Sequence, residues 1–321
     1  KEQILEKCKE IGINGICSIA SDLAAITVNY VAHAMELVGN SPECALISTN
    51  KHLMREAFEK NGDPSPKSIL VSVRDLLGVQ LQYPVIVKPI DRSGSRGITK
   101  LLSSNGMSEA IEIAKEQGFE KKALVEEFVT GQEYSVECIS YHGEHHFTGA
   151  PHFIETGHLE PAPVSEEVVE NVKKIVFHAL DSLKIVNGAS HSEIKIDQDG
   201  NIKLIEIGGR MGGDCIGSDL VQLSTGVDFV KAVIDVALGK KPDLLDYHEA
   251  GVAAIHYIFG DEDVDVLNQL RKEHPECLVR VEGTEKGTDE IVDSSSRYGA
   301  FLMSGSDYAV LESYLPSHQE E

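Results

Sequence analysis

The sequence predicts an α/β fold, in which sheets are covered by amphipathic helices. Short apolar runs typical of strands alternate with helical patterns from the first residues onward. Two of the later runs are joined by a polar Asp-Gly turn, which indicates a β-hairpin. The chain of 321 residues is long enough for two or three domains with a sizeable buried core.

Residues 1–65 are expected to be the remainder of an open, Rossmann-like α/β domain. Helical patterns cover residues 2–11 and about 22–38, and the apolar run 15–19 between them is typical of a strand. The chain starts at Lys1 without a Met, and the first strands of such a domain are absent from it. We therefore expect this N-terminal domain to be incomplete.

Residues 66–128 are expected to form a small α+β unit. Pro64 and Pro66 mark a linker before it, and the helix over 51–60 that precedes the linker ends at Gly62. The predicted elements of the unit are strands over 84–89, 98–102 and 123–129 and a helix over 108–117.

Residues 129–321 are expected to form the third unit. Its first strand places Tyr134, Val136 and Cys138 on one face, and a clear amphipathic helix follows a Ser165 cap. The predicted elements are a strand over 132–141, a helix over 166–183 and a hairpin of strands over 192–197 and 202–207.

Composition excludes several classes of partner. The formal net charge of −23 argues against a nucleic-acid backbone or an anionic membrane as the main partner. No apolar run approaches the roughly 20 residues that span a bilayer, and no signal peptide is visible. The six cysteines are scattered without a C-x-x-C pair, which predicts reduced, mostly buried thiols. We expect a cytoplasmic protein.

Lys88 and the loop after it are candidates for phosphate binding. Lys88 ends a buried strand, where a charge is costly without a partner, and the loop 91–97 contains Gly, Ser and two arginines. Consecutive N–H groups in such a loop can cradle phosphate oxygens. The alternative is a plain surface hairpin with a snorkelling lysine. The chain contains neither G-x-x-x-x-G-K-[ST] nor G-x-G-x-x-G.

Two glutamates of the predicted hairpin are candidates for metal binding. If Asp199-Gly200 is a two-residue turn, Glu193 lies opposite Glu206, with Cβ atoms about 4.5–5.5 Å apart. Two facing carboxylates repel unless a cation lies between them, and hard oxygen ligands favour magnesium or manganese. The alternative is a pair of solvated glutamates. The predicted face is mixed, since it also carries Leu204, so the register stays open.

Arg210 follows Glu206 in a run that contains four glycines. The glycines let the backbone approach a ligand closely. An arginine beside a metal carboxylate is well placed to stabilise a phosphate or an oxyanion. The alternative is an ordinary salt bridge in a flexible loop.

In their order and spacing, these motifs resemble the ATP-grasp superfamily of enzymes. The similarity extends from about residue 45 to 240. Each motif alone is weak, but the ordered set is highly specific. The residues that carry the resemblance are Lys51 at a helix start, Lys88 with its glycine loop, Glu126-Glu127-Phe128-Val129, Glu133, Glu193, Glu206 and Arg210.

The resemblance implies an ATP-grasp fold in which 1–65 is a truncated N-terminal domain, 66–128 a lid, and 129–321 the metal and substrate domain. ATP is expected between the last two. The implied roles are phosphate binding by Lys51 and Lys88, a mobile flap of Ser93, Gly94, Ser95 and Gly97, adenine binding by Glu126 and the Val129 backbone, ribose binding by Glu133, and magnesium binding by Glu193 and Glu206.

A narrower resemblance is to bacterial L-amino-acid ligases, which condense two amino acids into a dipeptide. It is carried by residues 189–214 and by the loop 153–162. In such ligases the loop Glu lies near the substrate amino group and the loop His near the reacting phosphate, which implies these roles for Glu155 and His158. One departure is Gly208, where many ATP-grasp enzymes carry Asn as a metal ligand.

The resemblance implies an ATP-dependent carboxylate–amine ligase that works through an acyl-phosphate and releases ADP and phosphate. Arg210 and His158 would act on the reacting groups, and the partners would be a small-molecule carboxylate and amine. A homodimer is left open. The alternatives are another ATP-grasp ligase, of the purine-biosynthesis or carbamoyl-phosphate type, a ligase of a specialised metabolite, and a non-catalytic nucleotide-binding regulator. Retention of Glu193 and Glu206 disfavours the regulator.

Overall fold

The computed structural model describes residues 1–71, 82–150, 152–154, 157–244, 251–283 and 297–315. Within these residues the strands form one four-stranded and one nine-stranded sheet. Every strand pairing in the described residues is antiparallel. The two sheets and the helices on them give the predicted α/β composition.

Four helices form the N-terminal region: α1 (Glu2–Ile11), α2 (Asp22–Ala34), α3 (Pro42–Ile47) and α4 (Lys51–Asn61). The side chain of Asn50 caps α4 by accepting from two backbone N–H groups, and Gly62 ends it in the left-handed conformation, as predicted. The strand predicted over 15–19 is wrong. A strand needs a partner for its backbone hydrogen bonds, and none of the described strands pairs with this segment.

The small sheet has the strand order β1-β4-β2-β3. Its strands are β1 (Ser68–Val71), β2 (Val85–Pro89), β3 (Thr99–Leu101) and β4 (Ala123–Glu127), with α5 (Met107–Gln117) between the last two in the chain. Ala110, Ile111 and Ala114 of α5 pack on Val87 and Val125 of the sheet. These elements fall within the segment predicted to be the lid, whose boundaries stay a prediction.

The large sheet follows the order β10-β9-β5-β7-β8-β11-β13-β12, and β6 also pairs with β5. Its strands are β5 (Gln132–Tyr141), β6 (Glu144–Gly149), β7 (His152–Ile154), β8 (Gly157–Glu160), β9 (Gly188–Ile196), β10 (Ile202–Gly208), β11 (Val252–Ile258), β12 (Leu278–Gly283) and β13 (Gly299–Gly305). Around it lie α6 (Glu166–Ser182), a π-helix (Ile216–Leu220), α7 (Val221–Thr225), α8 (Phe229–Ala237), α9 (Asp261–Glu273), a 3₁₀ turn (Pro275–Cys277) and α10 (Tyr308–Glu312).

The two faces of β5 and β9 have different environments. One face packs against α6, and Val136 and Cys138 are buried there together with Ile194, as the alternation in the sequence predicts. The opposite face is covered at one end by α8, through Ile139 and Ala189. The remaining positions of that face carry polar side chains, and they form one wall of the site described next.

All six cysteines are free thiols, and four of them are buried, as predicted. Among the described helices, none combines the length and the apolar character that crossing a membrane requires.

Candidate active site

A one-residue bulge in β10 places Glu206 on the polar face of the sheet. Leu204 pairs with Ile194, whereas Glu206 pairs with Glu193, so Ile205 is the extra residue. Side chains alternate between the faces of a strand, so without the bulge Glu206 would point to the same side as the buried Leu204. The predicted pairing of Glu193 with Glu206 is confirmed.

The turn of this hairpin differs from the prediction. The two-residue turn Asp199-Gly200 is wrong, because Asp197 and Asn201 close a three-residue turn, with 3.1 Å from the Asp197 N to the Asn201 O. The Asp197 carboxylate fixes this turn by accepting from the N–H groups of Asp199 and Asn201. The longer turn shifts the register by one residue, and the bulge shifts it back.

Cationic groups already lie beside both carboxylates. Lys51, at the start of α4, brings its Nζ to 2.7 Å from the Glu206 Oε1 and also donates to the Arg92 carbonyl at 2.8 Å. The His191 Nε2 lies 3.8 Å from the Glu193 Oε1. Burial would raise the pKa of Glu193, but the hydrogen bond and charge of His191 outweigh burial and lower this pKa to about 2. The Glu193 carboxylate is therefore ionised at neutral pH.

Glu137 and His191 lie on the same face of the sheet as Glu193. The sequence analysis did not identify either residue. The fully buried Glu137 contacts the His191 Nδ1 and accepts from the backbone N of Gly212 at 2.9 Å. Burial would lower the pKa of His191, but the charge of Glu137 raises it to about 9. A Cβ at Gly212 would lie 2.5 Å from the Glu137 carboxylate, so this contact requires glycine. The strand alternation that aligns Glu137 and His191 with Glu193 could have revealed both.

Lys88 belongs to a buried network of charges. Its Nζ lies 2.6 Å from the Glu126 Oε2, and the Arg55 Nε lies 2.8 Å from the Glu126 Oε1. Burial lowers the pKa of Lys88, and Glu126 offsets part of this effect. Burial would raise the pKa of Glu126, but Lys88 and Arg55 outweigh it and lower this pKa. The Glu126 side chain thus contacts two cations.

The glycine loop has three residues in the left-handed backbone region and borders a cavity. Gly94, Ser95 and Gly97 have φ of 73°, 57° and 71°. Asp91 anchors the loop by accepting from the N–H groups of Phe119 and Glu120. The residues that line the cavity include Asp22, Lys51, Arg92, Ser93, Arg96 and Glu206. Three cations and two neighbouring helix starts make this cavity suitable for phosphate groups.

Glu133 and Val129 lie where the two sheets join. Glu133 is on the polar face of β5, with its carboxylate 3.7 Å from the Lys195 Nζ. Burial and the charge of Glu193 raise the pKa of Glu133 to about 7. Val129 lies just after the end of β4, and Phe128 precedes it. The centroid of the Phe128 ring lies 4.1 Å from the Lys100 Nζ and 5.4 Å from the Lys195 Nζ. Phe128 is a further aromatic surface at this junction.

Arg210 forms an ion pair with Asp22 of the N-terminal region. Its Nε donates to the Asp22 Oδ1 at 2.9 Å and its Nη2 to the Asp22 Oδ2 at 3.2 Å. A third bond runs from Nη1 to the Met211 carbonyl at 3.1 Å. Burial opposes the charge, but Asp22 outweighs burial and raises the pKa of the guanidinium. The sequence analysis did not identify Asp22.

His158 lies on β8 and is buried. Burial lowers its pKa to about 3, so the imidazole is neutral at physiological pH. Its ring packs edge-on against Tyr257, with 5.9 Å between ring centroids. The charged groups that act on this pKa are Asp214, His191, Arg297 and Glu193. Glu155 lies outside the described residues.

The fold has close counterparts among solved structures. The L-amino acid ligase from Bacillus licheniformis superimposes with a TM-score of 0.79 and 23% identity, over 96% of this chain and 79% of that chain. The ATP-grasp domain family matches residues 81–219. The chain has the ATP-grasp fold. The predicted ATP-grasp fold is therefore confirmed, and the matched residues run from the small sheet through the carboxylate pair to Arg210.

Curated relatives of the chain include a ligase and a synthase. Alanine–anticapsin ligase of Bacillus subtilis (strain 168) is 26% identical over 76% of this chain. Dapdiamide A synthase of Enterobacter agglomerans is 28% identical over 70% of it. The chain spans 58% and 59% of the lengths of these two relatives.

Proposed function

We propose that the chain is an ATP-dependent ligase that joins a carboxylate to an amine, with amino acids as substrates. The observation that carries the proposal is the Glu193–Glu206 pair, of which Glu206 contacts Lys51 and lines a cavity rich in cations. The names of its relatives supply the substrate class.

The residues present fit a divalent cation. Two carboxylates face each other across adjacent strands, and Lys51 already provides a positive charge at Glu206. Carboxylate oxygens are hard ligands, which suit Mg²⁺ or Mn²⁺. Glu193 and Glu206 would hold the ion, which would neutralise charge on the phosphates.

The nucleotide is proposed to bind where the small sheet meets the large one. Lys51 and Lys88 would contact phosphates, and Ser93, Gly94, Ser95 and Gly97 would close over them as a mobile flap. Because the Glu126 side chain contacts Lys88 and Arg55, it would orient Lys88. The remaining contacts would be the backbone of Glu126 and Val129 with adenine, and Glu133 with ribose.

The chemistry would proceed in two steps. The substrate carboxylate attacks the γ-phosphorus of ATP, which forms an acyl-phosphate and releases ADP. The amine then attacks the acyl carbon, loses a proton and expels inorganic phosphate. Arg210 would stabilise the oxyanion of the tetrahedral intermediate. Together with the neutral His158, which can donate a hydrogen bond, Arg210 would also face the transferred phosphoryl group. Glu155 would bind the substrate ammonium.

A phosphate-release screen tests the proposed function. The protein is incubated with ATP and magnesium and with the amino acids, alone and in pairs, and products are identified by mass spectrometry. ADP formation that depends on amino acids, together with a dipeptide product, supports the proposal. ADP formation only with other acids would favour another ATP-grasp ligase, and nucleotide binding without turnover would favour a regulator. A homodimer and a cytoplasmic location stay predictions.

Lys88→Ala is expected to weaken ATP binding. The substitution removes a charge-assisted contact to the phosphates, and such contacts are worth roughly 1.5–3 kcal/mol, or about 10- to 150-fold in affinity. Calorimetry on the folded variant measures this effect. Lys122→Ala, which changes an exposed lysine just before β4, is the control. Wild-type affinity in Lys88→Ala would argue against this placement of the phosphates.

The proposed roles of Glu155 and His158 predict different kinetic defects. Glu155→Ala should raise KM for an amino-acid substrate and leave ATP affinity intact, because ground-state binding is lost. His158→Ala should lower kcat, by roughly 10²-fold, because a contact to the reacting group is lost. Steady-state kinetics separates the two, with the exposed Glu167→Ala as control. Unchanged amino-acid kinetics in both variants would contradict the amino-acid ligase proposal.

A further inference from the structure

The N-terminal helix α2 contributes a carboxylate to the site. Asp22, the first residue of α2, grips the guanidinium of Arg210 side-on through both carboxylate oxygens, at 2.9 and 3.2 Å. The carboxylate is not needed to cap its own helix, because the Ser21 side chain already accepts from the Ala24 N. The contact therefore serves Arg210, which lies 188 positions later in the chain.

Gly208 leaves open the space that this carboxylate fills. It lies two residues after Glu206, and hence on the same face of β10. A Cβ on Gly208 would lie 2.9 Å from the Asp22 Oδ1 and 3.2 Å from the Arg210 Nε. A longer side chain at position 208 would therefore displace the Asp22–Arg210 pair. Glycine at position 208, where many ATP-grasp enzymes carry Asn, thus leaves room for the Asp22 carboxylate.

The side-on contact leaves the outer edge of the guanidinium for a ligand. A guanidinium has five N–H groups. Asp22 accepts from Nε and Nη2, and the Met211 carbonyl accepts from Nη1. Among the described contacts, one N–H on Nη1 and one on Nη2 remain, and two such donors match an oxyanion or a phosphate. Asp22 also lines the same cavity as Lys51 and Glu206.

We propose that Asp22 is a positioning residue that fixes the Nη1–Nη2 edge of Arg210 toward the reacting phosphoryl group. Two hydrogen bonds to one carboxylate restrict the rotamers of the long Arg210 side chain before any substrate binds. The entropy cost of ordering this side chain is therefore not incurred during the reaction. The inference rests on the proposed ligase function, and it makes α2 part of the catalytic arrangement.

Asp22→Asn tests the role without removing the side chain. The amide oxygen can still accept from Nε, but the amide NH₂ would face the Nη2 donors, so the side-on grip is lost. We expect kcat for ADP formation to fall about tenfold or more, with KM for ATP changed less than about twofold. Asp228→Asn is the matched control, because Asp228 is an exposed aspartate at the start of α8.

Gly208→Ala provides a second variant with Asp22 and Arg210 intact. The neighbours of the added Cβ are the ends of two side chains, which can move, so the fold is expected to persist while the pair is displaced. We expect the same loss of kcat as in Asp22→Asn. Wild-type kcat in both variants would overturn the inference.

A binding measurement separates this inference from the proposed function. Calorimetry with inorganic phosphate, in the presence of ADP and magnesium, reports on the free edge of Arg210 and needs no amino acid. Asp22→Asn and Arg210→Ala should both weaken phosphate binding and leave ADP binding unchanged. If only Arg210→Ala does so, the inference is overturned. If Asp22→Asn weakens phosphate binding but no amino acid stimulates the wild type, the proposed function fails and the role of Asp22 stands.

Discussion

Glu206→Gln is expected to abolish turnover, by roughly 10³-fold or more, and to leave the protein folded. The amide keeps the shape of the side chain but loses the charge that would hold the metal ion opposite Glu193. Lys51 loses its carboxylate partner at 2.7 Å at the same time. Both changes act on the cavity that we propose binds the phosphates, which explains why the expected effect is so large.

The stability of this variant distinguishes two accounts of the carboxylate pair. The sequence alone suggests a slightly more stable protein, because repulsion between Glu193 and Glu206 is relieved. In the structure, however, the buried Lys51 already neutralises Glu206. Removing that charge should therefore lower the free energy of unfolding by about 1 kcal/mol.

ADP formation measured as a function of magnesium concentration tests the prediction, and thermal melting tests the folded state. Glu144→Gln, an exposed glutamate at the start of β6, is the control and should behave as wild type. Full activity of Glu206→Gln at ordinary magnesium concentrations would rule out the metal assignment.

The pairing of Glu193 with Glu206 could be predicted from the local sequence pattern, but the backbone contacts that stabilise it could not. Its register was predicted correctly although the turn was not, because the three-residue turn and the bulge at Ile205 cancel. The bulge is supported by distant groups: the Ile205 carbonyl accepts from Arg55 at 2.6 Å, and the Leu204 N donates to the Pro64 carbonyl at 2.7 Å. Contacts between residues so far apart in the chain cannot be obtained from the spacing of one hairpin.

The elements and residues that were missed depend on such distant partners. Helix α4 was predicted from its own caps, whereas the strand predicted over 15–19 fails because a strand requires a neighbour. Glu137 and Asp22 look like ordinary polar residues in the sequence. They become parts of the site only when folding brings them to His191 and Arg210. Motif spacing therefore identifies groups that would face a ligand more readily than groups that hold them in place.

Glu126→Gln is expected to cause the largest loss of stability. Glu126 is 3% exposed, and it contacts Lys88 at 2.6 Å and Arg55 at 2.8 Å. The amide can still accept from one of these groups, but its NH₂ would face the other donor and leave a buried cation without a counter-charge. Breaking a buried ion pair by removing one partner costs about 3–5 kcal/mol. Glu127→Gln, which changes the exposed neighbour on the same strand, is the control.

The pH dependence of unfolding gives this prediction a specific signature. Because Lys88 and Arg55 lower the pKa of folded Glu126, its ionisation stabilises the protein above the unfolded-state value of about 4.3. That contribution is lost as the pH falls through the lowered folded-state pKa, and Glu126→Gln should lack this part of the acid dependence. Denaturant titrations at several pH values measure it.

A double variant separates the charge network from a simple packing defect. Adding Lys88→Met to Glu126→Gln removes the cation that the single variant leaves without a counter-charge. The double variant should therefore be less destabilised than the sum of the two single variants. Additive losses, or a Glu126→Gln protein as stable as Glu127→Gln, would show that the ion pairs of Glu126 with Lys88 and Arg55 contribute little to stability. Lys88 would then need another reason for its burial at the end of β2, and its proposed contact with the nucleotide phosphates would be the first to examine.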